Sequence, residues 1–326
     1  MTNRKMIVQY EGEDSSAKNL VGGGPHGTLL GGIEFNVASD DSGKDLKTED
    51  RLKYYDDMYL LEFICFAEKI VQYDYLKHIP SDIHEENHYL PHESFKMQEF
   101  LNNLSSWTDS NKMLLNVEKS NYIIFTRSKL HFDTRLTVNE MPLERKFAFK
   151  VLGVWLEDDL SWELNTKEIC IKAYSRISML SKLKYAGISL NDLLTIYKLY
   201  IRSITEYCSI VFHSSLTQEL CRKLETVQKT CLKVLLGSNY IDYNSAISSI
   251  KLETLYERRN QRMKKFVIKC TNDKFNSHLF PMHENPNMKE KFKVNFARTA
   301  KYFNSTIPQC QRLLNNIFKN AAHRSK

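Results

Sequence analysis

Hydrophobic and polar residues follow two different patterns along the chain, and the change falls near Trp162. Before it, short apolar runs alternate with polar or glycine-containing segments, as in strands and hairpins. This pattern predicts strands at Arg4 to Gly12, Ser120 to Ser128 and Phe149 to Asp158, and a hairpin at Leu136 to Arg145. A single helical period stands among them, carried by Met97, Phe100, Leu101, Leu104 and Trp107.

C-terminal to Trp162, the apolar residues recur at helical spacing. A first helix carries Ile169, Ala173, Ile177 and Leu180 and is expected to stop near Gly187. Ser189 and Thr217 are N-cap candidates for the next two helices, because their hydroxyls accept hydrogen bonds from unpaired backbone N–H groups. The second helix carries Leu194, Tyr197, Ile201 and Ile204, the third ends at Gly237, and a fourth begins near Glu253. The fold class predicted is α+β, with an all-helical rear part.

Charge is distributed unevenly between the two ends. Residues 1–115 hold 11 Lys and Arg against 20 Asp and Glu, a net charge of −9, whereas the remainder carries +16 within the total of +7. An acidic N-terminal part joined to a basic C-terminal part suggests a metal or catalytic region next to a surface for a polyanion. The alternative is that the basic helices simply present solvated faces.

Composition excludes several classes of protein. No apolar run approaches the roughly 18–20 residues that cross a bilayer, and the N-terminal residues lack the apolar core of a secretory signal. Seven cysteines, odd in number and never in a C-x-x-C pair, argue against a disulfide framework or a zinc ribbon. We therefore expect an intracellular protein, nuclear or cytoplasmic, that is neither secreted nor bound to a membrane.

The segment "RLKYYDDMYLLEF" places two adjacent carboxylates, Asp56 and Asp57, inside an apolar and aromatic run. Neighbouring carboxylates repel each other and are costly to bury without a partner. Two apolar strands joined by a tight turn would put this pair at the tip of a hairpin. A divalent cation such as Mg²⁺ would remove the repulsion, whereas the plain alternative is a solvated turn.

Two short motifs are weaker. "HEENH", from His84 to His88, has the H-E-x-x-H spacing of a zinc protease, but Pro80 and Pro91 bracket it and disfavour the required helix. "GGGPHG" fits G-x-G-x-x-G, yet a polar segment follows where a dinucleotide site needs a strand. A glycine-rich turn nevertheless exposes backbone N–H groups that suit a phosphate or a sugar.

The fourth helix has a basic stripe. Arg258, Arg262, Lys265 and Lys269 follow the spacing i, i+4, i+7 and i+11. Leu255, Tyr256, Met263, Phe266 and Cys270 form an apolar stripe elsewhere on the same helix. We interpret the basic stripe as a contact for nucleic-acid phosphates, with a solvated helix face as the alternative. The bundle aromatics Tyr197, Tyr200 and Phe212 are expected in the core.

Several segments, in a fixed order, resemble the reverse transcriptases of non-LTR, LINE-like or jockey-like, retrotransposons. The segments that resemble the palm blocks and the primer grip are "GGGPHGTLLGG", "YYDD", "LNVEKSNYIIF" and "KVLGVWLEDDLSW". The segments "IYKLYIRSITEYCSIVFHSSLT" and "LETVQKTCLKVLL" resemble the helical thumb, and "ARTAKYFNSTIPQCQRLLN" resembles the tail. The resemblance runs over nearly the whole chain. It implies a partial palm at residues 1–162, a helical thumb at 163–280 and a basic tail at 281–326.

The resemblance also implies roles for individual residues. Asp56 and Asp57 would be catalytic and would hold Mg²⁺, with Lys119 near the triphosphate. The residues expected beneath the incoming nucleotide and template base are Gly24, Pro25, His26, Gly27 and Tyr55. Leu152 and Gly153 would grip the primer. The partners implied are an RNA template, a DNA primer or RNA–DNA hybrid, and deoxynucleotides.

The family's pattern also includes a further metal-binding aspartate in an earlier strand. Ahead of Val21 the sole aspartate is Asp14, in a polar run. We therefore expect an N-terminally truncated copy that is inactive alone, since a two-ion site would lack a bridging ligand. His26 and Tyr55 also depart from the usual glutamine and alanine. The alternatives are a catalytically dead module that binds nucleic acid through the basic thumb, and a copy that folds poorly.

Overall fold

The computed structural model of the chain describes residues 4–7, 9–10, 13–20, 51–54, 57–60, 96–125, 135–274, 276–284, 288 and 290–324. It divides into two units. The first comprises Met1–Tyr122 and Arg127–Lys146, and the second comprises Ile123–Thr126 and Phe147–Lys326. The larger unit thus begins its continuous part at Phe147. The division into a partial palm at residues 1–162, a thumb at 163–280 and a tail at 281–326 stays a prediction.

Short strands of the first unit pair in twos. Arg4–Met6 (β1) is antiparallel to Lys18–Leu20 (β4), Gln9–Tyr10 (β2) to Glu13–Asp14 (β3), and Arg51–Tyr54 (β5) to Asp57–Leu60 (β6). The segment predicted as one strand from Arg4 to Gly12 is therefore shared between two short pairs.

The helix predicted in the first unit is confirmed as Lys96–Ser110 (α1). Phe100, Leu101 and Leu104 are buried, as their spacing predicts. Leu101 packs with Leu136 and Val138, and Leu60 of β6 lies against the same cluster. The hairpin that carries the acidic pair is therefore anchored to the core of this unit by its last residue.

Two further strand predictions have different outcomes. The hairpin is confirmed: Thr137–Val138 (β8) pairs with Met141–Pro142 (β9), and Asn139 and Glu140 form the link with φ of 49° and 63°. The strand expected from Ser120 is shorter than predicted. It is limited to Asn121–Tyr122 (β7) among the described residues, because its parallel partner Glu144–Arg145 (β10) offers two residues.

The apolar run from Phe149 to Asp158 is a hairpin rather than the single strand predicted. Ala148–Val151 (β11) pairs with Val154–Glu157 (β12) across Leu152 and Gly153. Both linking residues have positive φ, 45° and 88°, which is the backbone twist that favours two-residue hairpin turns. The prediction was wrong because apolar residues stand on both sides of Gly153, and a single glycine is a weak signal for a turn.

Two long helices form the centre of the second unit. Glu163–Tyr185 (α2) buries Ile169, Ala173, Ile177 and Leu180, as predicted. They face Gln218–Leu236 (α6), whose Val227, Cys231 and Leu235 complete the core. Thr217 accepts a hydrogen bond from the Leu220 N–H at 3.3 Å and confirms the predicted N-cap. The hairpin β11–β12 belongs to this unit because Val154 packs with Trp162, Ile169 and Phe212.

The second predicted helix is interrupted. Ser189 caps Leu190–Ile196 (α3), a π-helical turn occupies Tyr197–Ile201, and Arg202–Glu206 (α4) follows. A π turn adds a residue to the helical repeat and so rotates everything after it. Cys208, with φ of 47°, then separates Ser209–Phe212 (α5). The short helix Tyr243–Ser249 (α7), capped by Asp242, is not among the helices that the sequence pattern predicts.

The last helices pack on one another. Leu255–Thr271 (α8) begins at a capping box formed by Thr254 and Glu257. Ala300–Phe303 (α9) precedes Thr306–Arg324 (α10). Cys310 and Leu314 of α10 share a buried cluster with Met263 and Val267 of α8. The tail expected at 281–326 thus lies in the same unit as the helical bundle.

Within the helices that the structure describes, none is long and apolar enough to cross a membrane.

Candidate nucleic-acid interface

The acidic pair lies at a strand hairpin. Tyr54 stands opposite Asp57 in the register of β5 and β6, and two residues, Tyr55 and Asp56, separate them in the sequence. The backbone pairing confirms the predicted hairpin, since strands joined by two residues are the commonest tight hairpins. Asp56 and Tyr55 themselves lie outside the described residues. The H-E-x-x-H segment from His84 to His88 lies outside them too. The same is true of the glycine-rich block, Gly24, Pro25, His26 and Gly27. Their assigned roles stay predictions.

Lys119 is exposed at the end of a 3-10 turn, Val117–Lys119. Its backbone N–H donates to the Asn116 side-chain oxygen at 3.1 Å, which fixes the turn immediately before β7. The assignment of its ammonium group to a triphosphate stays a prediction. In the described part of the chain, no three His, Cys, Asp or Glu side chains are grouped as metal ligands would be.

The turn at Leu152 and Gly153 is held by Tyr207. The Tyr207 hydroxyl donates to the Leu152 carbonyl oxygen at 2.7 Å. A Cβ added to Gly153 would lie 3.2 Å from Tyr207 Cε1, so glycine is required both by its φ of 88° and by this contact. The hairpin expected to grip a primer therefore depends on an aromatic residue that follows α4. No local pattern indicates this role for Tyr207, because it lies 55 residues after Leu152 in the chain.

The predicted basic stripe of α8 is divided between two roles. Lys265 and Lys269 are exposed, as a surface for phosphates requires. Arg262 Nη1 lies 2.8 Å from Glu206 Oε2, and Arg258 Nη2 lies 3.2 Å from the same oxygen. Arg258 Nε also donates to Glu206 Oε1. Half of the stripe is therefore engaged with a buried carboxylate, a partner on α4 that helical periodicity could not reveal.

Glu206 remains charged despite its burial. Burial alone would raise the pKa of this carboxyl, but the hydrogen bond from Arg258 and the charges of Arg202 and Arg262 outweigh that effect and lower it. Arg202 Nε lies 3.6 Å from Glu206 Oε1, one helical turn away. For Arg202, burial and the nearby charge of Arg258 lower the pKa. The cluster is thus an ion-pair network with more arginines than carboxylates.

Beside this cluster lies a buried cation. Arg259 is 1% exposed, and its Nε donates to His213 Nδ1 at 3.2 Å. Since Nδ1 accepts, the hydrogen of the neutral ring is on Nε2, which donates to Asn260 Oδ1 at 2.8 Å. Burial and the charge of Arg259 lower the pKa of His213. Tyr256, expected on the apolar stripe, is instead exposed and meets the His213 ring edge-on.

A second polar network anchors the start of α8. Tyr197 donates to Gln228, whose amide group donates to the Tyr243 hydroxyl and to the Glu253 carbonyl oxygen, both at 2.9 Å. The carboxylate of Glu225 accepts from the Leu255 N–H at 3.0 Å, and so neutralises the positive end of the helix. Tyr197 and Phe212 are buried, as predicted. Tyr200 is 52% exposed, and its predicted core position is wrong because the π turn directs it outward.

The charged state of Glu206 makes a testable contribution to stability. Because its folded pKa lies below the ordinary value of 4.5, its contribution is present above pH 4.5 and is lost as pH falls through the folded pKa. We expect Glu206→Gln to lower the free energy of unfolding by about 1.5–3 kcal/mol at neutral pH. Urea titrations across the acid range should show this deficit shrinking below pH 4.5. A deficit that stayed constant with pH would contradict a charged Glu206.

Similarity to a known protein extends over most of the chain. Over 276 residues the chain is 22% identical to a protein of Drosophila melanogaster described as a probable RNA-directed DNA polymerase from transposon X-element. The alignment covers 82% of this chain and 27% of the relative, so the chain spans about a quarter of the relative's length. No protein-family model matches the chain, and no solved structure is significantly similar to it. The chain is thus similar, across most of its length, to a transposon RNA-directed DNA polymerase.

Proposed function

We propose that the chain carries the later palm, the thumb and the tail of a non-LTR retrotransposon reverse transcriptase, an RNA-directed DNA polymerase. The observation that carries the proposal is the alignment of 82% of the chain with a transposon polymerase. The order of the resembling sequence segments supports it independently. So does the α+β content, in which short strand pairs precede a helical bundle.

The acidic hairpin is the proposed catalytic element. The register of β5 and β6 places Asp57 at the start of β6, and Asp56 directly precedes it in the sequence. Carboxylate oxygens are the hard donors that Mg²⁺ prefers, so this donor set fits the ion, with Asp56 and Asp57 as its holders. Bound Mg²⁺ would stabilise the negative charge that develops on the α-phosphate of a deoxynucleotide when a primer hydroxyl attacks it.

Other segments of the chain are assigned to the substrate contacts. Lys119 is assigned to the triphosphate, for which an exposed ammonium is suited. The block from Gly24 to Gly27 and Tyr55 are assigned to the incoming nucleotide and the template base. The Leu152–Gly153 turn presents backbone groups and the exposed Leu152 side chain to a primer strand. Its rigidity, which comes from Tyr207, would keep the primer end in one position.

The metal assignment has a matched control within the chain. Asp158 and Asp159 form a second adjacent pair, which follows β12 instead of linking two strands. We expect Asp56→Asn to weaken Mn²⁺ binding by about ten-fold, because one carboxylate ligand becomes a neutral amide. Asp159→Asn should leave it unchanged. Electron paramagnetic resonance of Mn²⁺ titrated into each chain measures the difference, and equal affinities would remove the hairpin from the metal site.

A second candidate function is nucleic-acid binding without catalysis. It is favoured by the net charge of +16 behind residue 115 and by the exposed Lys265 and Lys269 on one helix face. Phosphate contacts of this kind give affinity that depends little on sequence. The affinity falls as the salt concentration rises, because the release of counterions on binding then contributes less free energy. This candidate retains the RNA–DNA partner and dispenses with the metal.

Both candidate functions require contact with nucleic-acid phosphates, and the salt dependence of binding tests that contact. For binding of a labelled RNA–DNA hybrid, log K should fall linearly with log salt, by about 0.9 for each phosphate neutralised in duplex. Lys269→Gln should reduce that slope by about 1. Lys264→Gln is the control, since this exposed lysine lies off the stripe of the same helix. A wild-type slope near zero would refute phosphate contact.

A further inference from the structure

Three guanidinium groups converge on one carboxylate where α4 meets α8. Glu206 accepts hydrogen bonds from Arg258 and Arg262, and Arg202 approaches it from the preceding helical turn. The Glu206 side chain is 5% exposed, whereas those of Arg202, Arg258 and Arg262 are 16%, 25% and 46% exposed. The carboxylate is thus at the bottom of the cluster, and the arginines become more accessible toward the surface.

The charges of this cluster do not balance. Glu253 Oε2 lies 3.5 Å from Arg258 Nη1 and adds a second carboxylate, yet three positive charges still face two negative ones. One arginine would suffice to satisfy a buried carboxylate bidentately. Holding three together costs mutual repulsion and side-chain entropy. Glu206 offsets part of that repulsion, and an anion at the exposed side would offset the remainder.

The exposed side of the cluster continues into other cations. Arg262, Lys265 and Lys269 share one face of α8, since Lys265 and Lys269 follow Arg262 by three and seven residues. Two helical turns separate the first from the last, about 10 Å along the axis. In the π-helical turn before α4, exposed Lys198 precedes Arg202 by four residues. The arginine cluster is therefore the fixed centre of a longer basic strip.

We propose that Glu206 is a positioning residue that holds Arg202, Arg258 and Arg262 as a receptor for one phosphate of a nucleic-acid backbone. This inference rests on the proposed function, which supplies the nucleic acid. Guanidinium groups match phosphate oxygens in pairs, and their value is greatest when the geometry is set before binding. Glu206 orients donors that would otherwise move apart, and the phosphate completes the charge balance.

A purely structural role for Glu206 and a positioning role predict opposite changes in the affinity of Glu206→Gln for nucleic acid. If the residue only ties α4 to α8, replacing it by glutamine adds one positive charge beside the strip, and a polyanion binds more tightly. If it positions the arginines, the same replacement weakens binding although the protein becomes more basic. The direction of the change separates the two roles.

The experiment measures fluorescence anisotropy of a labelled RNA–DNA hybrid titrated with the full 326-residue chain over a range of salt. We expect Glu206→Gln to weaken binding by about ten-fold, the loss of one charge-assisted hydrogen bond to phosphate. Arg262→Gln should cause a similar loss and reduce the salt slope by about 1. Glu219→Gln adds the same charge at an exposed site on α6 and should not weaken binding.

Each outcome decides the matter. If the wild-type chain shows no salt-dependent binding, the proposed function fails and the inference with it. If the wild-type chain binds and Glu206→Gln binds equally or more tightly, the inference alone is overturned. Circular dichroism shows whether that variant folds. If it does not, Arg262→Gln and Lys264→Gln decide, and equal losses in the two would overturn the receptor.

Discussion

The helical unit depends on how the start of α8 is attached to its neighbours. Two carboxylates from other helices make this attachment: Glu225 accepts from the first backbone N–H groups of α8, and Glu206 binds two of its arginines. Both interactions bring together residues at least 30 positions apart in sequence. They fix the direction of a helix whose far end carries Lys265 and Lys269, and so they determine where the basic strip faces.

The same attachment links stability to the proposed nucleic-acid contact. Each arginine of the cluster contributes to the fold through Glu206, and the Arg262 side chain remains 46% exposed. A surface of exposed lysines alone would attract a polyanion without fixing its register. A receptor built on a buried carboxylate holds one phosphate in a defined place. The α4–α8 contact would thereby set the position of a nucleic-acid strand relative to the Leu152–Gly153 turn, which Tyr207 directly after α4 holds.

Sequence patterns predicted those features that local interactions determine. Thr217 and Ser189 cap their helices as expected, and Ala173 and Leu180 are buried at the predicted spacing, because capping and amphipathicity act within a few residues. The pattern was wrong where tertiary contacts decide. A turn at Leu152 and Gly153 divides the segment predicted as one strand, and the π turn exposes Tyr200.

The candidate site shows the same limit. An acidic link between two strands follows from the sequence alone, and the backbone pairing of β5 with β6 agrees with it. The basic stripe also follows from spacing, but its division does not, because Glu206 lies 52 residues before Arg258. Arg202 and Glu206 are separated by four residues in a helix, a weak signal that indicates a pair and not a three-arginine cluster.

The central claim is that the arginine cluster over Glu206 receives a phosphate. Modification of arginines by phenylglyoxal, quantified by mass spectrometry with and without an RNA–DNA hybrid, tests this most directly. The account predicts that the hybrid protects Arg262, the most exposed member of the cluster, and leaves exposed Arg222 of α6 reactive. Equal modification of Arg262 in the presence and absence of bound hybrid would contradict it.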